Sequence, residues 1–146
     1  MSLNLAHLAL IHAAATAALA GLVWVVQLAV YPLFDAIGAD RFAAYHRRYV
    51  RAVTFVVAPL IGAELVTAGL LFWLGVRGPL FLGSLVLIAM NWAVTFAVEM
   101  PLHRRLATGY NAEAHRQLVF ANWSRTLAWT ARAVMIGVWL FSLSAI

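Results

Sequence analysis

The sequence predicts an all-α integral membrane protein, a four-helix transmembrane bundle that runs up-down-up-down. Its 146 residues are 65% hydrophobic and 10% charged, with a mean hydropathy of +0.91, whereas about half the residues of a soluble domain are apolar. Each crossing of a hydrocarbon core about 30 Å thick needs roughly 20 apolar residues. Four crossings and their loops therefore use nearly all of residues 1–146, as a single domain.

Turn signals divide the chain into four apolar segments. We predict helices over about residues 4–35, 41–75, 79–105 and 112–145. The separating residues are helix stops, N-caps and a helix-opening proline: Gly38 with Asp40, Gly75 and Gly78 with Pro79, and Gly109 with Asn111.

The basic residues are distributed unevenly among the loops. The loop after the second segment has only Arg77. The loops after the first and third segments hold Arg41, Arg47, Arg48, Arg51, Arg104, Arg105 and Arg116. Because arginine-rich loops stay in the cytoplasm, both termini are expected outside it, in a bacterial cytoplasmic membrane. The net charge of +5 is thus interpreted as a topology signal, and no nucleic-acid partner is expected.

Each predicted helix has one polar face. At about 100° per residue, His46 and Glu64 share a face of the second helix. The other faces are Trp24, Gln27, Tyr31 and Asp35 in the first helix, Asn91, Thr95, Glu99 and His103 in the third, and His115, Asn122, Thr126 and Trp129 in the fourth. Since lipid cannot pair with these groups, the faces are predicted to point towards other helices.

Two ion pairs are predicted inside the bundle. A rise of about 1.5 Å per residue places Glu64 and Arg132 near the bilayer midplane. An unpaired charge there costs at least roughly 2.5 kcal/mol. We therefore predict a buried Glu64–Arg132 pair, and a shallower pair between Glu99 and Arg125.

Histidines and a carboxylate are expected to converge on the cytoplasmic side. The predicted metal ligands are His46, Glu99, His103 and His115. Three imidazoles and a carboxylate suit zinc, copper or non-haem iron. The alternative is that the histidines are ordinary interfacial residues at helix ends. Haem ligation by His7 and His12 is a weaker alternative, because these residues point about 140° apart on a helix. Cysteine is absent, which excludes thiol chemistry.

Three further residues complete the predicted site. Asn122 is expected to orient a metal ligand. Arg125 and Trp129, deeper in the bundle, are expected to bind and stack a hydrophobic acidic or phenolic substrate.

Short motifs spread over most of the chain support a family resemblance. They are Tyr31-Pro32-Leu33-Phe34, Tyr45-His46, Pro59 with Glu64, Pro101-Leu102-His103, and Asn122-Trp123-Ser124-Arg125-Thr126 with Trp129 and Arg132. In these motifs the chain resembles uncharacterised bacterial four-helix integral membrane proteins and, more distantly, the anthrone-oxygenase-like family of unknown-function domains. The resemblance implies oxygenation of polycyclic aromatic polyketides. The chain departs from similar proteins after the third helix, where they often carry a Pro-x-Asn motif and this chain has Pro101-Leu102-His103.

Two functions are therefore considered. The first is an oxidoreductase or oxygenase acting on a hydrophobic aromatic or lipid-soluble substrate that enters from the bilayer. The alternative is a non-enzymatic accessory subunit or small transporter whose polar faces only hold the bundle together, although inverted repeats typical of transporters are missing. Expected partners are the lipid bilayer and a hydrophobic small molecule, with a homo-oligomer left open. Four polar faces that end in one cluster exceed what packing requires, which favours the enzyme.

Overall fold

The computed structural model describes residues 3–144, with side chains described for residues 5–142. All regular structure in this range is helical, so the predicted all-α class is confirmed. The helices are α1 (Leu3–Val25), α2 (Ala39–Trp73), α3 (Pro79–Val94), α4 (Met100–Leu106) and α5 (Ala112–Ser144). Two π-helical segments, Val26–Val30 and Thr95–Glu99, and a 3-10 helix, Pro32–Ala36, continue the helical path. Residue 145, the predicted end of the last helix, lies outside the described residues.

Most of the turn residues act through ordinary capping geometry. Asp40, predicted as an N-cap, instead lies inside the first turn of α2, whose N-cap is Gly38. Gly75 has a φ of +89° after the end of α2, and the amide of Val76 donates to the carbonyl of Leu71 at 3.1 Å. This is a Schellman cap, which needs a left-handed residue and favours glycine. Pro79 begins α3, and the amide of Ala114 donates to the Asn111 side chain at 2.8 Å to cap α5.

Three helical stretches are long and apolar enough to cross a membrane: Leu5–Ala36, Ala39–Trp73 and Pro79–Leu106. Several of the largest apolar side chains lie on the outside of the molecule. Phe55, Trp73 and Phe120 are each more than 80% exposed, which a water-soluble surface would rarely tolerate in such numbers. Both observations are consistent with an integral membrane protein in contact with lipid.

The helices pack unequally. In the described part of the chain, α1 packs along both α2 and α5, and α3 packs along α5. The alanine- and glycine-rich stretch of α1, residues 13–21, allows the neighbouring backbones to approach closely. By contrast, the backbone of α2 does not run close along α3 or α4 in the described residues, so a gap opens between them over part of their length, although α2 and α4 meet at one end, where Phe42 packs with Leu102 and Leu106.

The two π-helical segments interrupt helices that were predicted to be continuous. Each precedes a proline by one or two residues, Pro32 in the first case and Pro101 in the second. Proline has no amide hydrogen and its ring displaces the carbonyl four residues earlier. A wider turn, such as the one in which Tyr31 donates to the carbonyl of Val26 at 2.9 Å, accommodates that disruption without breaking the helix.

Candidate functional site

A groove of about 610 Å³ lies between α2 and the α3–α4 stretch. It is close to the end of the molecule that carries residues 41–51 and 104–116, which we call the Arg-rich end. Its walls are mostly apolar, with Leu22, Val53 and Val57 among them. The polar side chains that line it are Tyr31, His46, Arg47, Tyr49, Arg51, Thr54, Thr95, Glu99, His103, Arg104, Asn122 and Arg125.

The π-helical segment Thr95–Glu99 helps to orient the polar face of the α3–α4 stretch towards the groove. In an α-helix, a step of four residues overshoots a full turn by about 40°, so a stripe built from such steps drifts around the helix. A π-helical turn rotates less per residue and cancels part of that drift. Glu99 and His103 are thereby kept on the groove side. π-helical turns of this kind are frequent at functional sites.

Three side chains form a hydrogen-bonded chain beside the groove. His46 Nε2 lies 3.1 Å from His103 Nδ1, and His103 Nε2 lies 3.0 Å from the Tyr31 hydroxyl. His46 and Tyr31 are almost fully buried. The three residues come from α2, α4 and the end of the first helical stretch, so the chain joins three separate parts of the fold.

This chain can transmit a proton. A neutral imidazole donates through one nitrogen and accepts through the other. The chain can therefore run from Tyr31 through His103 to His46, or in the reverse direction when each ring changes tautomer. His46 Nδ1, at the end of the chain, is buried without a hydrogen-bond partner. A buried polar atom of this kind is expected to meet a ligand or water.

Glu99 and Arg125 form the second polar element of the groove. Arg125 donates to Glu99 Oε2 and, at 3.4 Å, to Asn122 Oδ1. The Asn122 amide in turn donates to Gln27 Oε1 at 2.8 Å, which links the pair to the π-helical segment Val26–Val30. Glu99 Oε1 and Arg125 Nε are buried without partners. The groove therefore offers one free acceptor and one free donor next to the histidine chain.

His115 lies outside this arrangement. Its Nε2 is 2.7 Å from the carbonyl oxygen of Tyr31, so this nitrogen carries the hydrogen and donates. Its Nδ1 is 3.1 Å from the Tyr110 hydroxyl, which then donates to it. Because both ring nitrogens have hydrogen-bond partners, His115 links α5 to the end of the first helical stretch. It does not line the groove.

The four predicted metal ligands are thus only partly brought together. His46 and His103 are in contact, whereas Glu99 pairs with Arg125 and His115 bonds to the backbone of Tyr31. Over the described residues, no group of three or more His, Cys, Asp or Glu side chains is arranged to hold a metal ion. His7 is exposed and His12 is buried, so the geometry does not bring them together as a haem pair.

Glu64 and Arg132 meet in a second buried polar cluster, away from the groove. Arg132 donates to Glu64 and, at 3.0 Å, to the carbonyl of Ser84, and Thr16 donates to Glu64 at 3.2 Å. The ring of Trp129 lies 4.7 Å from the Arg132 guanidinium. Trp129, which was predicted to stack on substrate, therefore covers this arginine and does not line the groove.

Five polar groove residues were not predicted as site residues from the sequence: Tyr49, Thr54, and the arginines Arg47, Arg51 and Arg104, which were interpreted only as topology signals. Tyr49 is three residues beyond His46 on α2, and its ring lies 6.4 Å from that of Tyr31. The spacing of three residues was a usable signal. Comparison with known proteins adds no guidance here, because no family model, curated protein or solved structure matches the chain.

Proposed function

We propose that the chain crosses the bacterial cytoplasmic membrane four times as an up-down-up-down bundle, with both termini outside the cytoplasm. Three helical stretches qualify as spans by length and composition. The fourth span would be α5, whose 33 residues correspond to about 50 Å of helix, more than a bilayer core requires. The contacts of α5 with α1 and α3 support its place in the same bundle.

The proposed topology predicts a specific labelling pattern. The natural chain has no cysteine, so single-cysteine variants at Arg77 and Arg104 can be compared directly in intact cells. An impermeant maleimide added from outside is expected to label Arg77→Cys and to leave Arg104→Cys unlabelled until the membrane is opened. The reverse pattern would contradict the proposed orientation.

We further propose that the protein is a membrane oxidoreductase that admits a lipid-soluble aromatic substrate to the groove from the bilayer. The observation that supports this is the position of the groove: it lies where two membrane helices do not pack together, and its apolar walls end at the His46–His103–Tyr31 chain. An apolar pocket with a few convergent polar groups is the usual form of a small-molecule site.

The proposed reaction begins with a proton transfer. A phenolic substrate with an acidic ring methylene loses a proton to the His46–His103 pair, while Arg125 stabilises the resulting anion. Dissolved dioxygen then oxidises the electron-rich ring, so that the methylene and O₂ become a carbonyl and water. The resemblance to the anthrone-oxygenase-like family supports this substrate class. The ligand arrangement described above does not fit a four-ligand metal site, so no step is assigned to zinc, copper or iron.

Binding of a dihydroxylated anthrone to the purified protein in mild detergent tests the groove. We expect the variant Val50→Phe with Thr54→Phe, which fills the groove from α2, to weaken binding about tenfold or more, the change expected when 1.4 kcal/mol of binding energy is lost. Quenching of tryptophan fluorescence reports the affinity. The matched control is Val66→Phe with Leu70→Phe, on exposed positions of α2 that do not line the groove.

Equal affinities for the two double variants would place the ligand elsewhere. If the anthrone binds to the groove and no oxygen is consumed, the oxidoreductase assignment fails. The non-enzymatic alternative, an accessory subunit or small transporter, gains support if the wild-type protein neither binds nor oxidises the anthrone. The observation that favours this alternative is the Glu64–Arg132 cluster, because it joins α2 to α5 and shows that buried polar groups of this chain can serve packing alone.

A further inference from the structure

Three arginines lie at one end of the groove, Arg47 and Arg51 on α2 and Arg104 on α4. All three are exposed. None of them forms an ion pair within the described residues. By contrast, two arginines of the same end of the molecule have acidic neighbours, since Arg41 lies 3.6 Å from Asp40 and Arg116 pairs with Glu113.

The groove changes character along its length. Along α2 it extends from Arg47 to Val57, a rise of about 15 Å. The end near Arg47 carries the three arginines, whereas the end near Val57 is lined by Leu22, Val23 and other apolar side chains. A ligand complementary to both ends has a negatively charged group at the arginine end and an apolar body along the rest of the groove.

Arginines at a membrane surface are common as topology signals. The chain offers an internal comparison, because Arg48 and Arg105 adjoin Arg47 and Arg104 in sequence and do not line the groove. If the arginines served only to orient the protein, the groove arginines and their neighbours would be interchangeable. Their different positions relative to the groove allow the two roles to be separated.

We propose that the groove selects an anionic amphiphile, whose carboxylate is bound by Arg47, Arg51 and Arg104 and whose apolar body lies along α2 towards Val57. This rests on the proposed function and specifies its substrate class. The planar guanidinium group pairs with a carboxylate through two parallel hydrogen bonds. Because His46 and Arg47 both line the same end of the groove, the reacting position of the substrate is next to its acidic group and not at its far end.

A matched acid and ester test this selection. The full-length protein is placed in nanodiscs of phosphatidylcholine, which carries no net charge, and is titrated with dansyl-labelled undecanoic acid or with its methyl ester. Energy transfer from the protein tryptophans to the dansyl group detects only probe molecules that lie close to the protein. We expect the wild-type protein to bind the acid about tenfold or more tightly than the ester, the difference expected from a charge-assisted contact.

Two triple variants separate the groove from the surface charge. Arg47→Gln with Arg51→Gln and Arg104→Gln is expected to remove the preference for the acid while it still binds the ester. Arg41→Gln with Arg48→Gln and Arg105→Gln removes the same number of charges from the same two helices, α2 and α4, and is expected to keep the preference. Cysteine labelling at Arg77 checks that both variants insert in the same orientation.

Each other outcome overturns the inference. Equal binding of acid and ester by the wild-type protein shows that the groove takes a neutral ligand, and leaves the proposed function intact. Equal loss of preference in both triple variants assigns the preference to general surface charge. If neither probe transfers energy above the level of nanodiscs with the Val50→Phe and Thr54→Phe variant, the groove binds no amphiphile and the inference fails, whereas the anthrone titration decides the proposed function separately. Displacement of the acid by inorganic phosphate would show that an anion without an apolar body suffices.

Discussion

Replacement of Glu64 by leucine is expected to destabilise the folded protein by about 3–5 kcal/mol, the usual cost of removing one partner of a buried ion pair. Both side chains are almost fully inaccessible, at 1% exposure for Glu64 and 0% for Arg132. The substitution leaves the Arg132 charge among apolar helices, with only the Ser84 carbonyl as a partner for its Nε. Unfolding in mild detergent, followed by circular dichroism against added denaturing detergent, measures the loss.

The double substitution Glu64→Leu with Arg132→Leu removes both charges. It is expected to recover most of the lost stability, because apolar replacement of a whole buried pair is often nearly neutral. The exposed pair Glu113–Arg116 provides the control, since its removal should leave the unfolding midpoint almost unchanged. A double variant no more stable than the weaker single variant would show that the two charges do not depend on one another.

Replacement of His103 by glutamine is expected to slow oxidation of the dihydroxylated anthrone by about 10²–10⁴-fold, the usual contribution of a general acid–base group. Glutamine keeps a donor and an acceptor at this position but cannot take up a proton. The proton can then no longer pass between Tyr31 and His46. Oxygen uptake and the absorbance of the product measure the rate.

The same substitution should leave substrate affinity nearly unchanged, so that kcat falls and KM does not rise. His12→Gln is the control, because His12 is a fully buried histidine bonded at 2.9 Å to Thr67, outside the groove, whereas His103 is partly exposed. If both variants lose the same activity, the effect is structural. If His103→Gln retains the wild-type rate, the histidine chain takes no part in the reaction.

The contacts between charged side chains were accessible from the sequence. Helical periodicity and depth place Glu64 opposite Arg132, and the structure brings these two residues into contact, as it does Glu99 and Arg125. Few arrangements satisfy a charge inside a bilayer, so its partner can be inferred once helix faces and depths are known.

The position of His115 could not be inferred in the same way. Its partner is the backbone carbonyl of Tyr31, which also accepts from the amide of Phe34 at 3.1 Å and lies where the helix changes from a π-helical to a 3-10 turn. A periodic pattern assumes a regular helix and does not show such a change. The groove could not be predicted either, because it depends on which helices do not pack together. In the described residues, α2 has a polar face like the others, yet only the backbone of α1 runs close along it.

The separation of 68 residues between Glu64 and Arg132 has a consequence for biosynthesis. A chain made from its N-terminus presents α1 and α2 to the insertion machinery well before α5 exists. In the proposed four-span topology, Glu64 therefore enters the bilayer without its arginine, and the Thr16 hydroxyl on α1 is the buried side-chain donor already present. The α1–α2 hairpin thus carries an unneutralised carboxyl group during synthesis, and the arrival of α5 completes its neutralisation. In this respect α5, which is translated after α1 and α2, stabilises their final arrangement.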